Sequence, residues 1–181
     1  MKKHFEDWLK NHAPHPGVGL TEPVISIGAA AHLTGLSESA LRKYEAAGLI
    51  IFYRTPTNRR MLSLEDLERI RLIQSMIKRK GLNLEGLLRI LTLIPCWELK
   101  RCSDAERENC PASVDSRRPC WVLHENRGCL GEPDCRTCEV YRFGAYCTED
   151  LKSLIRTFTE GRGGGKEPGD SENKPLEKCP V

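Results

Sequence analysis

The sequence is poor in aromatic residues, in net charge and in long apolar stretches. Aromatic residues make up only 6% of its 181 residues, and the formal net charge is +3. No apolar run approaches the roughly 18 to 20 residues needed to cross a bilayer, and the first residues lack the continuous apolar stretch of a secretory signal. We therefore expect a cytoplasmic protein that does not associate with a membrane.

Recognisable catalytic constellations are also missing. The chain shows no paired catalytic acids, no arrangement of nucleophile and base, and no phosphate-binding loop. The pair Cys135-Arg-Thr-Cys138 lacks the βαβ setting of a redox enzyme. We predict that the protein is not an enzyme.

Two short helices joined by a tight turn are predicted after Val24. Ser26 and Ser37 are placed as N-caps of the two helices, and Gly35 lies in the turn between them. Gly48 is placed to end the second helix in a left-handed conformation. This order is typical of a helix-turn-helix, in which the second helix is the recognition helix.

A basic hairpin and a second pair of helices are predicted next. Residues 49–62 begin as a β-branched and aromatic run, break at residues 56–58 and resume, which indicates a two-stranded wing. Ser63 and Asp66 form a capping box for a longer helix, and Asn83 caps the last one. The predicted fold class is mainly α: a winged helix-turn-helix, a small irregular cysteine-rich module stabilised by metal, and a C-terminal helix.

Positive charge is concentrated in this predicted winged domain. Residues 24–95 contain 11 Lys and Arg against 6 Asp and Glu, whereas residues 96–147 contain 8 against 9. Such a segment is where a polyanion would bind. The alternative, an ordinary solvated basic face, is less favoured because the charges fall on the recognition helix and the wing.

Residues 25–94 resemble the DNA-binding domain of the MerR family. The matching stretches are ISIGAAAHLTGLSESALRKYEAAGLI, RTPTNRRMLSLEDLERI and IKRKGLNLEGLLRIL, and the last two are closer to the heat-shock repressor branch. The resemblance implies DNA contacts from Arg42 and Tyr44 on the helix and from Arg54 and Arg60 on the wing, although core packing is an alternative for Tyr44. The full candidate DNA-binding set is Ser39, Arg42, Lys43, Tyr44, Arg54, Asn58, Arg59 and Arg60.

The same resemblance implies partners. Members of the family bind an inverted-repeat operator in double-stranded DNA as dimers and distort it, so we expect a homodimer, with RNA polymerase at the promoter as a further candidate partner. This chain departs from the family after Pro95, where a cysteine-rich segment stands in place of the long dimerisation helix. The mode of dimerisation is therefore open.

Eight cysteines fall within residues 96–147. A segment with so little aliphatic content cannot offset its chain entropy without a cross-link, and in a reducing compartment metal ligation or redox chemistry is favoured over structural disulfides. With Cys96-Trp97, Cys120-Trp121 and the closing stretch 135–141, the segment also resembles the two-CW type of cysteine-rich module. We predict zinc or an iron-sulfur cluster as cofactor, with candidate ligands Cys96, Cys102, Cys110, Cys120, Cys129, Cys135, Cys138 and Cys147.

The predicted organisation is therefore an arm (1–23), a winged helix-turn-helix (24–95), the cysteine-rich module (96–147), an amphipathic helix (148–160) and a disordered tail (161–181). The predicted function is sequence-specific transcription regulation, in which the module has either a purely structural role or a role in sensing metal or redox state. The alternative is a metal-dependent scaffold that recruits a protein partner while the winged domain localises it to DNA.

Overall fold

The computed structural model describes residues 19–115, 117–127, 129 and 134–142. Several predicted features lie outside the described residues: the first 18 residues of the arm, the helix at 148–160, the tail at 161–181 and Cys147. The architecture below concerns the described part of the chain.

The predicted helix-turn-helix is confirmed. Helix α1 spans Ile27–Thr34 and helix α2 spans Glu38–Ala46. The hydroxyls of Ser26 and Ser37 each accept a hydrogen bond from the amide three residues later, which caps both helices as expected. Gly35 adopts a φ of 66° in the turn, a conformation that costs glycine little.

The predicted wing is confirmed but is shorter than its sequence suggests. Strands β2 (Tyr53–Arg54) and β3 (Arg60–Leu62) pair antiparallel, with Arg54 opposite Arg60. Residues 49–52 are buried without joining the sheet. A strand that was not predicted, β1 (Ile25–Ser26), pairs with the other edge of β3 and gives the order β1-β3-β2.

The second helix pair is also confirmed. Helix α3 spans Leu64–Lys80 and begins with the predicted capping box between Ser63 and Asp66. Helix α4 spans Leu84–Thr92 and begins at Asn83, whose side-chain oxygen accepts from a backbone amide. Among the residues that the structure describes, none of the helices has both the length and the apolar content to cross a bilayer.

The cysteine-rich module consists of short helices joined by turns. They are α5 (Cys96–Leu99), α6 (Asp104–Glu108), α7 (Pro111–Val114) and α8 (Cys120–Leu123), and residues 139–142 are again helical. Helices α5 to α8 have four or five residues each, which agrees with the absence of helical periodicity in this stretch.

Buried residues of the module and of the helix-turn-helix form one cluster. Trp121, Val140 and Tyr141 belong to the same cluster of buried side chains as Leu41 on α2 and Ile70 on α3. The module therefore adds its apolar residues to the existing core and packs directly on the domain that carries the candidate DNA-binding residues.

Candidate nucleic-acid interface

Helix α2 presents one polar face to solvent. Ser39, Arg42 and Lys43 are exposed, and the side chain of Arg42 is 55% exposed with its guanidinium 3.0 Å from Glu38. Tyr44 faces the other way, is only 8% exposed and belongs to the core, where burial raises the pKa of its hydroxyl. The structure thus brings three of the four candidate residues of this helix together on its surface and places Tyr44 apart from them.

The wing is tied to α2 by one carboxylate. Glu45 Oε1 lies 2.7 Å from Nη2 of Arg54, and Glu45 Oε2 lies 2.6 Å from Nε of Arg60. Arg54 also donates to the side-chain oxygen of Asn58 at 3.3 Å. Sequence reasoning missed Glu45, which fixes the two cross-strand arginines relative to the recognition helix.

The tip of the wing is a tight turn. The amide of Asn58 donates to the carbonyl of Thr55 at 2.8 Å, and the amide of Thr55 donates to the carbonyl of Arg59 at 3.0 Å. Asn58 adopts a φ of 60°, which asparagine tolerates better than most residues. The exposed side chain of Arg59 is thereby held at the tip, next to the Arg54 and Arg60 pair.

The order of elements and the basic surface they create agree with a known domain. Residues 25–93 match the model of the MerR HTH family regulatory protein. These residues form a MerR-family helix-turn-helix domain. The family resemblance predicted from the sequence is confirmed for this domain.

Curated proteins have sequences related to part of this chain. The chain is 41% identical over 76 residues to "Putative heat shock protein HspR" of Streptomyces coelicolor, covering 41% of this chain and 50% of that protein. It is 34% identical over 71 residues to "HTH-type transcriptional regulator GlnR" of Bacillus anthracis, covering 39% of this chain and 54% of that protein. The chain thus spans about half the length of the curated relatives it matches.

Trp121 anchors the module to the MerR-family domain. Its indole Nε1 donates to the carbonyl oxygen of Gly48 at 2.8 Å, and the side chain is only 1% exposed. Its ring meets that of Tyr141 edge-on, with centroids 5.3 Å apart. The Tyr141 hydroxyl accepts from the amide of Ile51 at 2.8 Å, and burial raises the pKa of this tyrosine. The anchoring points follow directly after the recognition helix.

Arg69 of α3 lies beneath these two rings. It is 4% exposed, and its Nε donates to the carbonyl of Leu49 at 2.7 Å while Nη1 donates to the carbonyl of Tyr141 at 2.5 Å. The guanidinium carbon lies 4.0 Å from the Tyr141 ring centroid and 5.2 Å from that of Trp121. One buried cation therefore joins α3, the segment after α2 and the module.

Two further arginines of the module reach the MerR-family domain at its edge. Arg142 forms a bidentate pair with Glu65, at 2.8 and 2.6 Å. Arg136 places its guanidinium 4.7 Å from the ring centroid of Tyr53 on β2. The module thus touches the base of the wing as well as the end of the recognition helix.

Gly48 is required at this junction for two reasons. It adopts a φ of 80°, and a Cβ atom there would lie 2.5 Å from Cγ2 of Val122. We expect Gly48→Ala to lower the free energy of unfolding by about 1 to 2 kcal/mol through the left-handed conformation and by about 1 to 3 kcal/mol through the clash. Urea denaturation of the full chain measures the sum.

Val122→Ala separates the two causes, because it removes the clashing methyl and leaves the backbone unchanged. In the Val122→Ala background, Gly48→Ala should lower the free energy of unfolding only by the part due to the left-handed conformation, about 1 to 2 kcal/mol. Strictly additive losses in the double variant would show that the close approach of α8 to Gly48 does not exist in solution.

The seven cysteines of the described residues are all free thiols. Cys120 is influenced electrostatically by Cys96, Cys135 and Cys138, and Cys129 by Cys102, Cys110 and Cys138. Within residues 19–142, apart from those not described, no three His, Cys, Asp or Glu side chains are grouped so that they could hold a metal ion. As placed here, the thiols do not fit a zinc or iron-sulfur site, and metal binding by these cysteines stays a prediction.

The contacts of individual thiols differ. The neighbouring thiol of Cys120 lowers the pKa of Cys96 to about 7, and the thiol of Cys96 together with burial raises the pKa of Cys120. Cys110 lies 3.6 Å from Nε2 of His124, and the buried Cys135 donates to the carbonyl of Arg127 at 3.0 Å.

Proposed function

We propose that this protein is a DNA-binding transcription regulator that inserts α2 into the major groove and sets its wing against the flanking phosphates. The observation that carries the proposal is the position of Glu45. This residue holds Arg54 and Arg60 of the wing in fixed register with the exposed face formed by Ser39, Arg42 and Lys43. In this class of domain, the helix usually contacts base edges and the wing contacts phosphates.

The electrostatics of the surface favour a polyanion. Among the described residues, Arg42 pairs with exposed Glu38 alone, an interaction worth at most about 1 kcal/mol, so a guanine edge or a phosphate can replace it at little cost. Arg54 and Arg60 share a single carboxylate, which leaves a net positive charge at the wing before Arg59 is counted. Phosphate oxygens would neutralise this remaining positive charge, and counterions bound to the DNA would be released.

The regulatory part of the proposal is supported by the names of the related proteins, one of which is called a transcriptional regulator. Binding to an inverted repeat as a homodimer, with RNA polymerase as a promoter partner, is proposed on the family resemblance of residues 25–94. Light scattering of the full chain, free and with a selected duplex, measures the stoichiometry. A single protomer per duplex would contradict the dimer.

Duplexes selected by the full-length protein from a random pool test the proposal. We expect Arg42→Ala to weaken binding by about 1 to 3 kcal/mol and to relax base preference at one position. Arg60→Ala should weaken binding to all duplexes alike and reduce the salt dependence of the association constant by about one phosphate contact. Fluorescence anisotropy at several salt concentrations measures both effects.

Arg127→Ala is the matched control. Its side chain is 82% exposed in the module and, among the described residues, pairs with Glu125 alone, so duplex affinity should stay unchanged. Equal losses for all three variants would indicate non-specific attraction to a basic protein. An unmutated protein that selects no duplex at low salt would overturn the proposal.

A further inference from the structure

We propose that Arg136 of the cysteine-rich module is a positioning residue for duplex binding: it holds the ring of Tyr53 and thereby keeps Arg54 of the wing directed at the DNA. The effect on DNA rests on the function proposed above, whereas the contact between Arg136 and Tyr53 does not. The length of the wing, the alternation of side chains along β2 and the fixed guanidinium of Arg136 each support a separate step.

The wing needs support from outside its own sheet. Strand β2 consists of Tyr53 and Arg54, and β3 is its one neighbour among the described strands. Two-stranded hairpins are at best marginally stable in water. A cleft of about 530 Å³ adjoins the strand and is lined by Tyr53, Arg54 and Arg136, so β2 is not closely packed on this side. A contact from the module therefore matters for how firmly the strand is held.

The two side chains of β2 are held by different parts of the protein. Successive side chains of a strand point to opposite faces of the sheet. Arg54 is held by α2, where Glu45 Oε1 lies 2.7 Å from its Nη2. The ring of Tyr53 is held by the module, with its centroid 4.7 Å from the guanidinium carbon of Arg136. Release of Tyr53 would free the backbone that carries Arg54.

The guanidinium of Arg136 is fixed by a neighbouring carboxylate. Its Nη2 donates to Oδ2 of Asp134 at 2.7 Å, and the backbone amide of Arg136 donates to Oδ1 at 2.7 Å. The side chain of Arg136 is 24% exposed, so it is partly shielded from water. A partly desolvated cation attracts an aromatic ring more strongly than an exposed one does. Arg136 therefore gives β2 a rigid support.

Arg142 offers a matched comparison within the module. It also reaches the MerR-family domain, but it pairs with Glu65 near the start of α3. Its exposure is similar, at 29%. Replacing either arginine by alanine removes one positive charge and one contact between the module and the domain. Of the two, Arg136 is the one joined to the wing.

Duplex affinity of the full-length protein tests the step from Arg136 to Arg54. We expect Arg136→Ala to weaken binding to a selected duplex about threefold to tenfold, the fold-change equivalent to one cation–π contact. Arg142→Ala should change the affinity by less than about twofold. In an Arg54→Ala protein, the further substitution Arg136→Ala should have no effect, because the side chain that it positions is gone. Fluorescence anisotropy at one fixed salt concentration measures all four proteins.

Two outcomes of the affinity measurements would overturn the proposal. If the losses from Arg136→Ala and Arg54→Ala simply add, Arg136 acts independently of Arg54. If Arg136→Ala and Arg142→Ala weaken binding equally, the loss of one positive charge explains both results.

Substitutions of Tyr53 test the contact itself. Tyr53→Phe keeps the ring and should leave duplex affinity unchanged, whereas Tyr53→Leu should reproduce the loss caused by Arg136→Ala. Urea denaturation without DNA gives an independent measurement, in which Tyr53→Leu and Arg136→Ala together should destabilise the protein by less than the sum of their separate effects. Strictly additive destabilisation would show that the ring and the guanidinium do not interact in solution.

The two measurements separate failure of this inference from failure of the proposed function. If the unmutated protein selects no duplex, the proposed function fails, while urea denaturation still reports on the contact between Arg136 and Tyr53. If the contact is present but Arg136→Ala leaves duplex affinity unchanged, the positioning role of Arg136 is wrong.

Discussion

Replacing Trp121 by alanine is expected to lower the free energy of unfolding by about 3 to 5 kcal/mol, the usual cost of deleting a buried tryptophan side chain. The substitution removes the bond to the Gly48 carbonyl and the ring contact with Tyr141. It also removes one of the two rings packed against Arg69. Because the module and the MerR-family domain share one cluster of buried residues, both should unfold at a lower urea concentration.

Trp121→Phe is the control that separates packing from hydrogen bonding. It keeps an aromatic ring but leaves the Gly48 carbonyl without its donor, so a smaller loss of about 1 to 3 kcal/mol is expected. Circular dichroism follows the helices of the MerR-family domain during the same denaturation. If Trp121→Ala leaves their transition unchanged, the module does not stabilise that domain.

Replacing Arg69 by methionine should lower the free energy of unfolding by about 3 kcal/mol. Methionine has a similar length, but the carbonyls of Leu49 and Tyr141 lose their donors, at about 1 to 3 kcal/mol each. The lost contact with two rings adds about 2 kcal/mol, and the relief of a buried charge offsets several kcal/mol of the total. Urea denaturation at neutral pH gives the value.

Arg79→Met on the same helix is the matched control. Arg79 is exposed and its Nε donates to the hydroxyl of Ser75 at 2.8 Å, so its replacement should change stability by less than about 1 kcal/mol. If Arg69→Met is as stable as the wild type, the free-energy cost of burying the cation equals the stabilisation from its contacts.

The double variant Arg69→Met with Trp121→Ala should lose less stability than the sum of the two single variants, because the two side chains touch.

The parts of the fold that could be predicted are those determined by residues close together in the sequence. The caps at Ser26, Ser37 and Asn83 are confirmed because each side chain bonds to an amide three positions away. The wing follows from a β-branched run broken at a turn. Strand β1 was missed because two residues are too few to show alternation.

The parts that could not be predicted depend on distant partners. Nothing in the local sequence around Arg69 shows that its guanidinium meets Tyr141, which lies 72 positions later. Glu45 reads as an ordinary acid near the end of a helix, and only the hairpin geometry places two arginines against it. Tyr44 follows two candidate contacts in the sequence, yet the helical turn directs it into the core. The metal prediction depends on how loops converge, which spacing alone does not specify.

The shared interior around Arg69 also limits how this protein can be dissected. A truncated chain ending near Pro95 would leave the carbonyl of Gly48 without its donor Trp121 and the amide of Ile51 without its acceptor Tyr141. It would also expose the apolar patch that Trp121 covers. Such a fragment would differ from the native MerR-family domain at the turn after α2. Single-residue variants of the intact polypeptide are therefore the sounder way to test the proposed DNA binding.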